Sequence, residues 1–549
     1  MNKVQTYKQI VSEAYNLSSP LLLDTALQQV SKEKDELLKE LNNSGSVKVP
    51  VVGDFSAGKS SLLNAFIGRE LLTVDITPET AVAYELYYSL DEHVELYRDF
   101  QKIEERPINE IKHITTRPGD IAKVYVNSLK IKQLEVRGIT LVDMPGTDSG
   151  IKEHNDAILN YINKGTVFVI CVDCAGGSLR QSTIEFISEL AKYNLKPAVL
   201  VTKIDKKPVD EVKEVVEYIG FQSKRAVSSE IYVGQVSAHG NDIEAFENFL
   251  DSLDVNNLIS EKFGARIGLY LNTHLSALEA QSKIFQTEIE NVDEKIATLE
   301  NEKKVASDAI NDSRVGDTPE KSTQDVLDIV TSTLRTHSEE IAQMVIARES
   351  ATEINARILS YIRPAIVLAF REEGEQYASS LKTVVDNVTI ALQDNIRLDG
   401  NIFDNLIDSL RSEINGAITV VAEILMNTPN IFTKALGWLL MVLGDKLPDL
   451  VKWVFGKSKD DMLREVIDRI ESSFFPQIIE SLRPEILNQI TAQQKRIREN
   501  INENISASIG NMQDSIMVSR EMANKKEKEV AIVQINDTIV AIKSLKSKL

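Results

Sequence analysis

Cysteine is nearly absent: two among 549 residues exclude a disulfide framework. Cys171 and Cys174 form CVDC behind the strand-like run GTVFVI. Neither the helix start of a redox pair nor two further zinc ligands are supplied there, so they read as small buried thiols. Six histidines (His93, His113, His154, His239, His274 and His337) are scattered without paired spacing, which removes a histidine metal centre. Basic residues are outnumbered, 62 Lys and Arg against 82 Asp and Glu, and the net charge of −20 excludes nucleic acid as a general partner. The opening MNKVQTYKQIVSEAY lacks the apolar core of roughly 7 to 15 residues that a secretory signal carries, so a cytoplasmic location is expected.

What is present is a hydrophobic share of 43%, ample core for about two to four domains at this length. Gly53 to Ser60 read GDFSAGKS, a full GxxxxGK[ST], directly after the apolar run VKVPVV and before the helical pattern SLLNAFIG. In the order strand, glycine loop, helix, consecutive backbone N–H groups, that of Ala57 among them, wrap a polyphosphate, with the glycines Gly53 and Gly58 permitting the close approach. Lys59 then reaches the β- and γ-phosphates, and Ser60 ligates Mg²⁺.

Further stretches follow at ordered distances. GITLV leads to DMPG, where Asp143 at a strand end holds Mg²⁺ through water and the Gly146 amide senses the γ-phosphate. KPAVLV delivers TKID, from Thr202 through Lys203 to Asp205. Asp205 accepts two hydrogen bonds from the N1 and N2 groups of guanine, which adenine lacks, so the motif predicts GTP rather than ATP. Lys203 lies along the base, and YVGQVSAHG sets Ser237 and Ala238 near the guanine O6. The switch threonine has to come from TVDITPETAVAYEL, which offers Thr73, Thr77 and Thr80. Thr80 is the choice, because it follows the turn at Pro78 and precedes a strand-like run, and it would close over Mg²⁺.

Taken together, GDFSAGKSSLLNAFIG, TPETAV, DMPGTDSG and TKID resemble the dynamin superfamily, its bacterial dynamin-like branch in particular, over about Val47 to Gly240. The resemblance implies an α/β P-loop GTPase domain, mostly parallel sheet with helices on both faces, joined to an elongated all-α bundle or stalk. It implies GTP and GDP with Mg²⁺, contacts from Ser56 and Ser61, and a monovalent cation, K⁺ or Na⁺, which Ser56 helps hold in place of an arginine finger. Phe55 stands where dynamins carry a glutamine, and Thr147 stands where small GTPases place theirs. Hydrolysis is therefore expected to lean on Thr80, on the cation and on a second GTPase domain docking across the nucleotide. The implied partners are a second copy of the chain, a partner dynamin-like protein and a lipid membrane, with membrane remodelling, including vesicle-associated secretion, as the outcome.

The domain division expected is 1–45 for N-terminal helices packing with the neck, 46–255 for the GTPase domain and 256–549 for neck and stalk. Past Phe263 glycine and proline thin out and helical periodicity dominates. Leu271, Leu275, Leu278, Ser282, Phe285, Ile289, Val292, Ile296 and Leu299 predict one coiled-coil seam, and Ile490, Ile497, Ile501, Ile505, Ile509, Met512 and Ile516 a second long helix beside it. Asn311 to Thr323 reads as a loop, and further breaks are expected at Arg363-Pro364, Asp399-Gly400 and Arg483-Pro484. The segment Asn427 to Lys459 holds both tryptophans, Trp438 and Trp453, and an uncharged run from Ala435 to Gly444. Its five lysines against Asp445 and Asp449 give 5 − 2 = +3 within an acidic chain. Ten helical residues span about 15 Å, too short to cross a bilayer but suited to shallow insertion, so 427–459 is expected to be a peripheral membrane paddle at the stalk tip. The alternative is a soluble GTP-dependent switch that binds a protein partner through its coiled coils, with 427–459 packed as core.

Overall fold

A computed structural model of the protein describes residues 2–54, 56–72, 82–98, 101–113, 120–145, 161, 167–192, 195, 197–227, 230–287, 291–311, 316, 318–396, 459–522 and 525–549. Phe55, Thr73, Thr77, Thr80, Gly146, Thr147, Ile289, Asp399-Gly400 and the segment 427–458 lie outside the described residues.

Two helices open the chain, α1 (Lys3–Ser18) and α2 (Asp24–Ser44). The Asn2 side chain accepts the Gln5 N–H at 3.0 Å and caps the first. The α/β part then runs β1 (Val47–Gly53), α3 (Lys59–Ile67), β2 (Ala83–Tyr88), the hairpin β3 (His93–Arg98) and β4 (Gln101–Pro107), β5 (Ile121–Val126), α4 (Leu129–Arg137) and β6 (Ile139–Asp143). It continues with β7 (Val169–Asp173), α5 (Gln181–Lys192), β8 (Ala198–Thr202), α6 (Val209–Val227), β9 (Val233–Gln235) and α7 (Glu244–Ser252).

The nine strands form one sheet in the order β4-β3-β5-β2-β6-β1-β7-β8-β9. β1 is parallel to β6 and β7, β8 continues parallel to β7 and β9, and β2 is parallel to β5. β2 runs antiparallel to β6, and β3 antiparallel to both of its neighbours. β1, β6 and β8 are buried along their whole length, as near-continuous apolar strands of a covered parallel sheet should be. Because β1, β6, β7 and β8 share one direction, their last residues, Gly53, Asp143, Asp173 and Thr202, gather at one edge. The registers Val51↔Asp143, Gly53↔Cys171 and Asp173↔Thr202 set them side by side.

The described elements that follow are helices: α8 (Val255–Gln286), α9 (Val292–Ile310), α10 (Pro319–Thr336), α11 (Ser338–Ile346), α12 (Ala351–Ile396), α13 (Lys459–Arg469), α14 (Phe475–Glu521) and α15 (Lys525–Lys546). A π-helical turn at Ile470–Phe474 joins α13 to α14. α14, with 47 residues and so about 70 Å long, is the spine. Ile490, Ile497, Ile501, Ile505, Ile509, Met512 and Ile516 are buried along it, against α2, α8, α9 and α10. The N-terminal helices join this bundle through side chains: Tyr7 Oη donates to Ser260 Oγ at 3.1 Å, the Thr25 N–H to Asp514 Oδ2 at 3.0 Å, and Gln281 Nε2 to the Leu21 carbonyl at 3.0 Å.

Three sequence expectations need correction. The seam from Leu271 to Leu299 is divided between α8 and α9, because Thr287 turns extended and Asn291 takes φ 55°, a conformation that asparagine tolerates better than most residues. Pro364 and Pro484 break nothing: α12 and α14 run straight through them. Each proline removes one helical hydrogen bond, yet Ile362 and Ile366 on one helix and Leu482 and Ile486 on the other bury their apolar groups only if the helix continues. The loop expected over 311–323 is shorter, since Thr318 Oγ1 accepts the Lys321 N–H at 3.3 Å and starts α10 at Pro319.

Candidate functional site

The site lies at the carboxyl ends of the parallel strands, where an open α/β sheet leaves a crevice. Gly53 has φ 149°, and a Cβ there would stand 2.4 Å from the Cys171 carbonyl oxygen, so only glycine lets β1 leave the sheet this close to β7. Gly58 at φ 82° precedes α3 and leaves its first amides pointing out of the helix end.

Lys59 Nζ arches back over the loop and donates to the carbonyls of Gly53 (3.0 Å) and Asp54 (2.9 Å). Burial pulls its ammonium below the ordinary lysine value, while the Asp143 charge opposes the shift. Ser60 Oγ donates to Asp143 Oδ2 at 2.8 Å. Asp143 Oδ1 is buried and has no hydrogen-bond partner among the described residues. Burial pushes this carboxyl up to about 6, against the Ser60 hydroxyl and the Lys59 ammonium. An orphaned buried oxygen costs about 1 to 3 kcal/mol, and a hard cation beside the Ser60 hydroxyl would satisfy it. The donor set fits Mg²⁺ on that ground.

Two strands farther along the sheet edge, at the end of β8, the base end is built. Thr202 Oγ1 donates to the Ala57 carbonyl at 2.7 Å, with the Val172 carbonyl at 3.2 Å as second acceptor. Lys203 adopts the left-handed φ of 56°, and its ammonium donates to the Ser56 carbonyl and pairs with Asp173 Oδ2 at 2.8 Å. Asp205 sits in the short turn Ile204–Lys206 and accepts Ser237 Oγ at 2.5 Å, which holds its carboxyl below the usual range. Ser237 and Asp242 exchange backbone hydrogen bonds of 2.8 and 2.9 Å and close the turn that carries Ala238. Ser237 Oγ also accepts the Gly240 N–H at 3.2 Å.

Gly53, Ser56, Ala57, Gly58, Lys59, Ser60 and Asp143 are thus brought to one place, and Thr202, Lys203, Asp205 and Ser237 are tied to them through the Ser56 and Ala57 carbonyls. Ser61 is half-buried on α3. Thr80 and Gly146, assigned roles from the sequence, lie outside the described residues. Two side chains at the site were not singled out from the sequence: Asp173, and Arg180, whose Nε stands 3.2 Å from Asp54 Oδ2. Asp173 was legible in principle, since it ends an apolar strand as Asp143 does, but CVDC drew the reading toward its cysteines. Both thiols are buried and free, and burial pushes Cys171 up to about 12.

A buried polar hub joins β1, β2 and Tyr161. Lys48 Nζ donates to Glu85 Oε2 (2.8 Å) and Tyr87 Oη (2.5 Å), Tyr87 Oη donates to Glu85 Oε2 (2.7 Å), and Tyr161 Oη donates to Glu85 Oε1 (2.8 Å). Burial opposes the Glu85 charge, but the Lys48 ammonium and these hydrogen bonds prevail and hold the carboxyl down to about 2.

Residues 49–205 match the model of the dynamin family. Human Dynamin-2 is 26% identical over 216 residues, 36% of this chain and 24% of that protein. Dynamin-like protein 2 of Campylobacter jejuni is 25% identical over 264 residues, 47% of this chain and 42% of that protein. The matches span at most half the length of these curated relatives. A solved structure from an oligomerised bacterial dynamin pair, described as sensing and tethering membranes at long range, covers 98% of this chain and 95% of its own at 15% identity, with a TM-score of 0.32.

Proposed function

We propose, for a chain that belongs to the dynamin family through residues 49–205, that it binds GTP and hydrolyses it, coupling the nucleotide to self-association and to movement of its helical half on a membrane. The observation that carries the nucleotide part is the Asp143–Ser60 pair with its orphaned Oδ1, set beside Lys59 at the head of α3. Mg²⁺, when bound, neutralises phosphate charge and orders the reacting oxygens. The chain's own groups do the rest. Amides of the 53–60 loop cradle the phosphates, Lys59 exchanges its two carbonyl partners for phosphate oxygens, and Asp205, presented by Ser237, selects guanine. Thr80 and Gly146 are assigned to the γ-phosphate, and Ser56 to a monovalent cation, K⁺ or Na⁺. The GTPase domain is taken as 46–255, with 1–45 and 256–549 as neck and stalk and 427–459 as the membrane-facing tip.

Among the described residues no helix is long and apolar enough to cross a membrane. The isoleucine seam of α14 is buried inside the chain itself. That leaves less apolar surface for the alternative, a soluble switch that offers its coiled coils to a protein partner. The test is GTP turnover by the purified protein at several concentrations, with and without liposomes, in sodium and in potassium. A specific rate that rises with concentration and lipid is expected, and a flat, lipid-indifferent rate would favour the soluble switch. Lys59→Ala should abolish tight nucleotide binding, whereas Thr80→Ala should keep binding and lose turnover.

A further inference from the structure

We propose that Asp173 is a positioning residue for guanine recognition: by holding the Lys203 ammonium it fastens the base-reading turn to the phosphate loop. The inference rests on the GTP-binding reading above and adds to it a residue outside the nucleotide motifs.

Asp173 is the last residue of β7, directly across from Thr202 at the end of β8. Both of its oxygens are used. Oδ2 pairs with Lys203 Nζ at 2.8 Å, and Oδ1 accepts the Ala175 N–H at 2.9 Å, which fixes the carboxylate to the turn that follows. The same Lys203 ammonium donates to the Ser56 carbonyl, while Thr202 next to it donates to the Ala57 carbonyl. Consecutive residues of the base-reading turn therefore clasp consecutive carbonyls of the phosphate loop, and Asp173 supplies the counter-charge for one of the two clasps. Burial opposes the Asp173 charge, but the Lys203 ammonium and the Ala175 amide outweigh it and hold the carboxyl below its usual range.

Exposed ion pairs are worth little, so the question is why this one should matter. Both side chains are under one third exposed, at 26% and 29%. More decisive is the backbone: Lys203 holds φ 56°, a conformation unfavourable for a non-glycine residue that persists only where its surroundings fix it. The strained residue stands two positions before Asp205 and so sets the direction in which that carboxylate meets the base. Without Asp173, Lys203 keeps the Ser56 carbonyl but loses its counter-ion, and the turn relaxes toward ordinary backbone angles. The phosphate end, held by Lys59, Ser60 and Asp143, is untouched. The loss should therefore fall on nucleotide affinity and base selectivity, not on the chemical step.

The experiment is a comparison of wild type, Asp173→Asn, Lys203→Met, the double variant and Asp173→Glu. Affinity is read with a fluorescent GDP analogue, turnover at saturating GTP, and selectivity as GTP against ATP. Asp173→Asn should weaken binding about tenfold and narrow the selectivity, with kcat within about twofold of wild type. The same change made in the Lys203→Met background should add nothing further, and Asp173→Glu should recover part of the affinity. Unchanged affinity in Asp173→Asn would overturn the proposal, and so would a full effect persisting without Lys203, which would mean that Asp173 acts only through local folding. A wild-type protein that binds no guanine nucleotide would overturn the GTP-binding reading itself, a result distinct from the other two.

Discussion

Arg363 on α12 and Glu189 on α5 form an ion pair at 3.7 Å with side chains only 8% and 4% exposed, and they join the helical half of the chain to the nucleotide-binding half. Arg357 and Glu185 make a second pair across the same contact, and Arg357 also reaches Glu340 at 3.5 Å. α5 begins next to Arg180, the residue paired with Asp54 in the phosphate loop. One helix thus touches the phosphate loop at its start and the bundle along its length. Removing one member of a buried pair strands the other charge, so Glu189→Ala or Arg363→Ala should cost about 3 to 5 kcal/mol. Replacing both by leucine should restore most of that loss. Urea unfolding of the three variants decides it: a double variant no better than either single would mean that the two charges do not meet.

The Lys48, Glu85 and Tyr161 hub yields a graded series. Tyr161→Phe deprives Glu85 Oε1 of its donor and should cost about 1 to 3 kcal/mol. Glu85→Gln leaves the Lys48 ammonium buried without a counter-ion and should cost more, about 3 to 5 kcal/mol. Lys48→Met together with Glu85→Leu removes both charges and should lie between wild type and Glu85→Gln. Equal midpoints for Tyr161→Phe and Glu85→Gln would contradict the assignment of the hub's strength to charge.

How much of this was legible in the sequence depended on whether the signal was local. The phosphate loop, DMPG and TKID are short patterns of residues adjacent in sequence, and the fold sets Ser60 against Asp143 and Asp205 against Ser237. Asp173 and Lys203 are thirty residues apart and meet because β7 and β8 are adjacent, which no local spacing announces. The prolines misled for the opposite reason. Pro364 and Pro484 carry strong local signals for a break, but burial of Ile362, Ile366, Leu482 and Ile486 on either side overrides them. Lys48 and Glu85 carry no local signal in the sequence, and only the fold makes them partners.

The tryptophan segment carries a prediction that needs no structural detail. Residues 427–459 hold an uncharged run flanked by lysines, with a local charge of +3. Liposome flotation should therefore be stronger with anionic than with neutral lipid and should weaken with salt. Trp438→Asp with Leu440→Asp should reduce partitioning about tenfold or more, because two large apolar side chains no longer enter the interface. Equal flotation of variant and wild type would remove the membrane role from this segment and favour its burial in the bundle.

His274 gives the bundle a dependence on pH whose sign can be worked out. It is fully buried on α8, its Nδ1 lies 2.6 Å from Ser18 Oγ, and its Nε2 has no partner among the described residues. Ser18 Oγ donates to the Ala14 carbonyl at 2.9 Å, so the imidazole must donate from Nδ1 and leave Nε2 as a bare acceptor in apolar surroundings, with the Tyr270 ring edge-on at 4.5 Å. Burial lowers its pKa to about 3, so the folded chain prefers the neutral ring. The unfolded chain takes up a proton near the usual histidine value of about 6.5, which means stability is intact above that pH and falls below it, by about 1.4 kcal/mol per pH unit. Glu33 on α2 runs the other way, its carboxyl raised to about 7 by burial, so stability from that group is present at low pH and is lost as pH rises from about 4.5 to about 7. The difference between wild type and His274→Asn isolates the histidine. The variant, which keeps a donor for Ser18, should be less stable at pH 7.5 yet lose about 1.4 kcal/mol less than wild type on going to pH 5.5. Parallel losses in urea unfolding at the two pH values would show that the ring is already accessible to protons in the folded bundle.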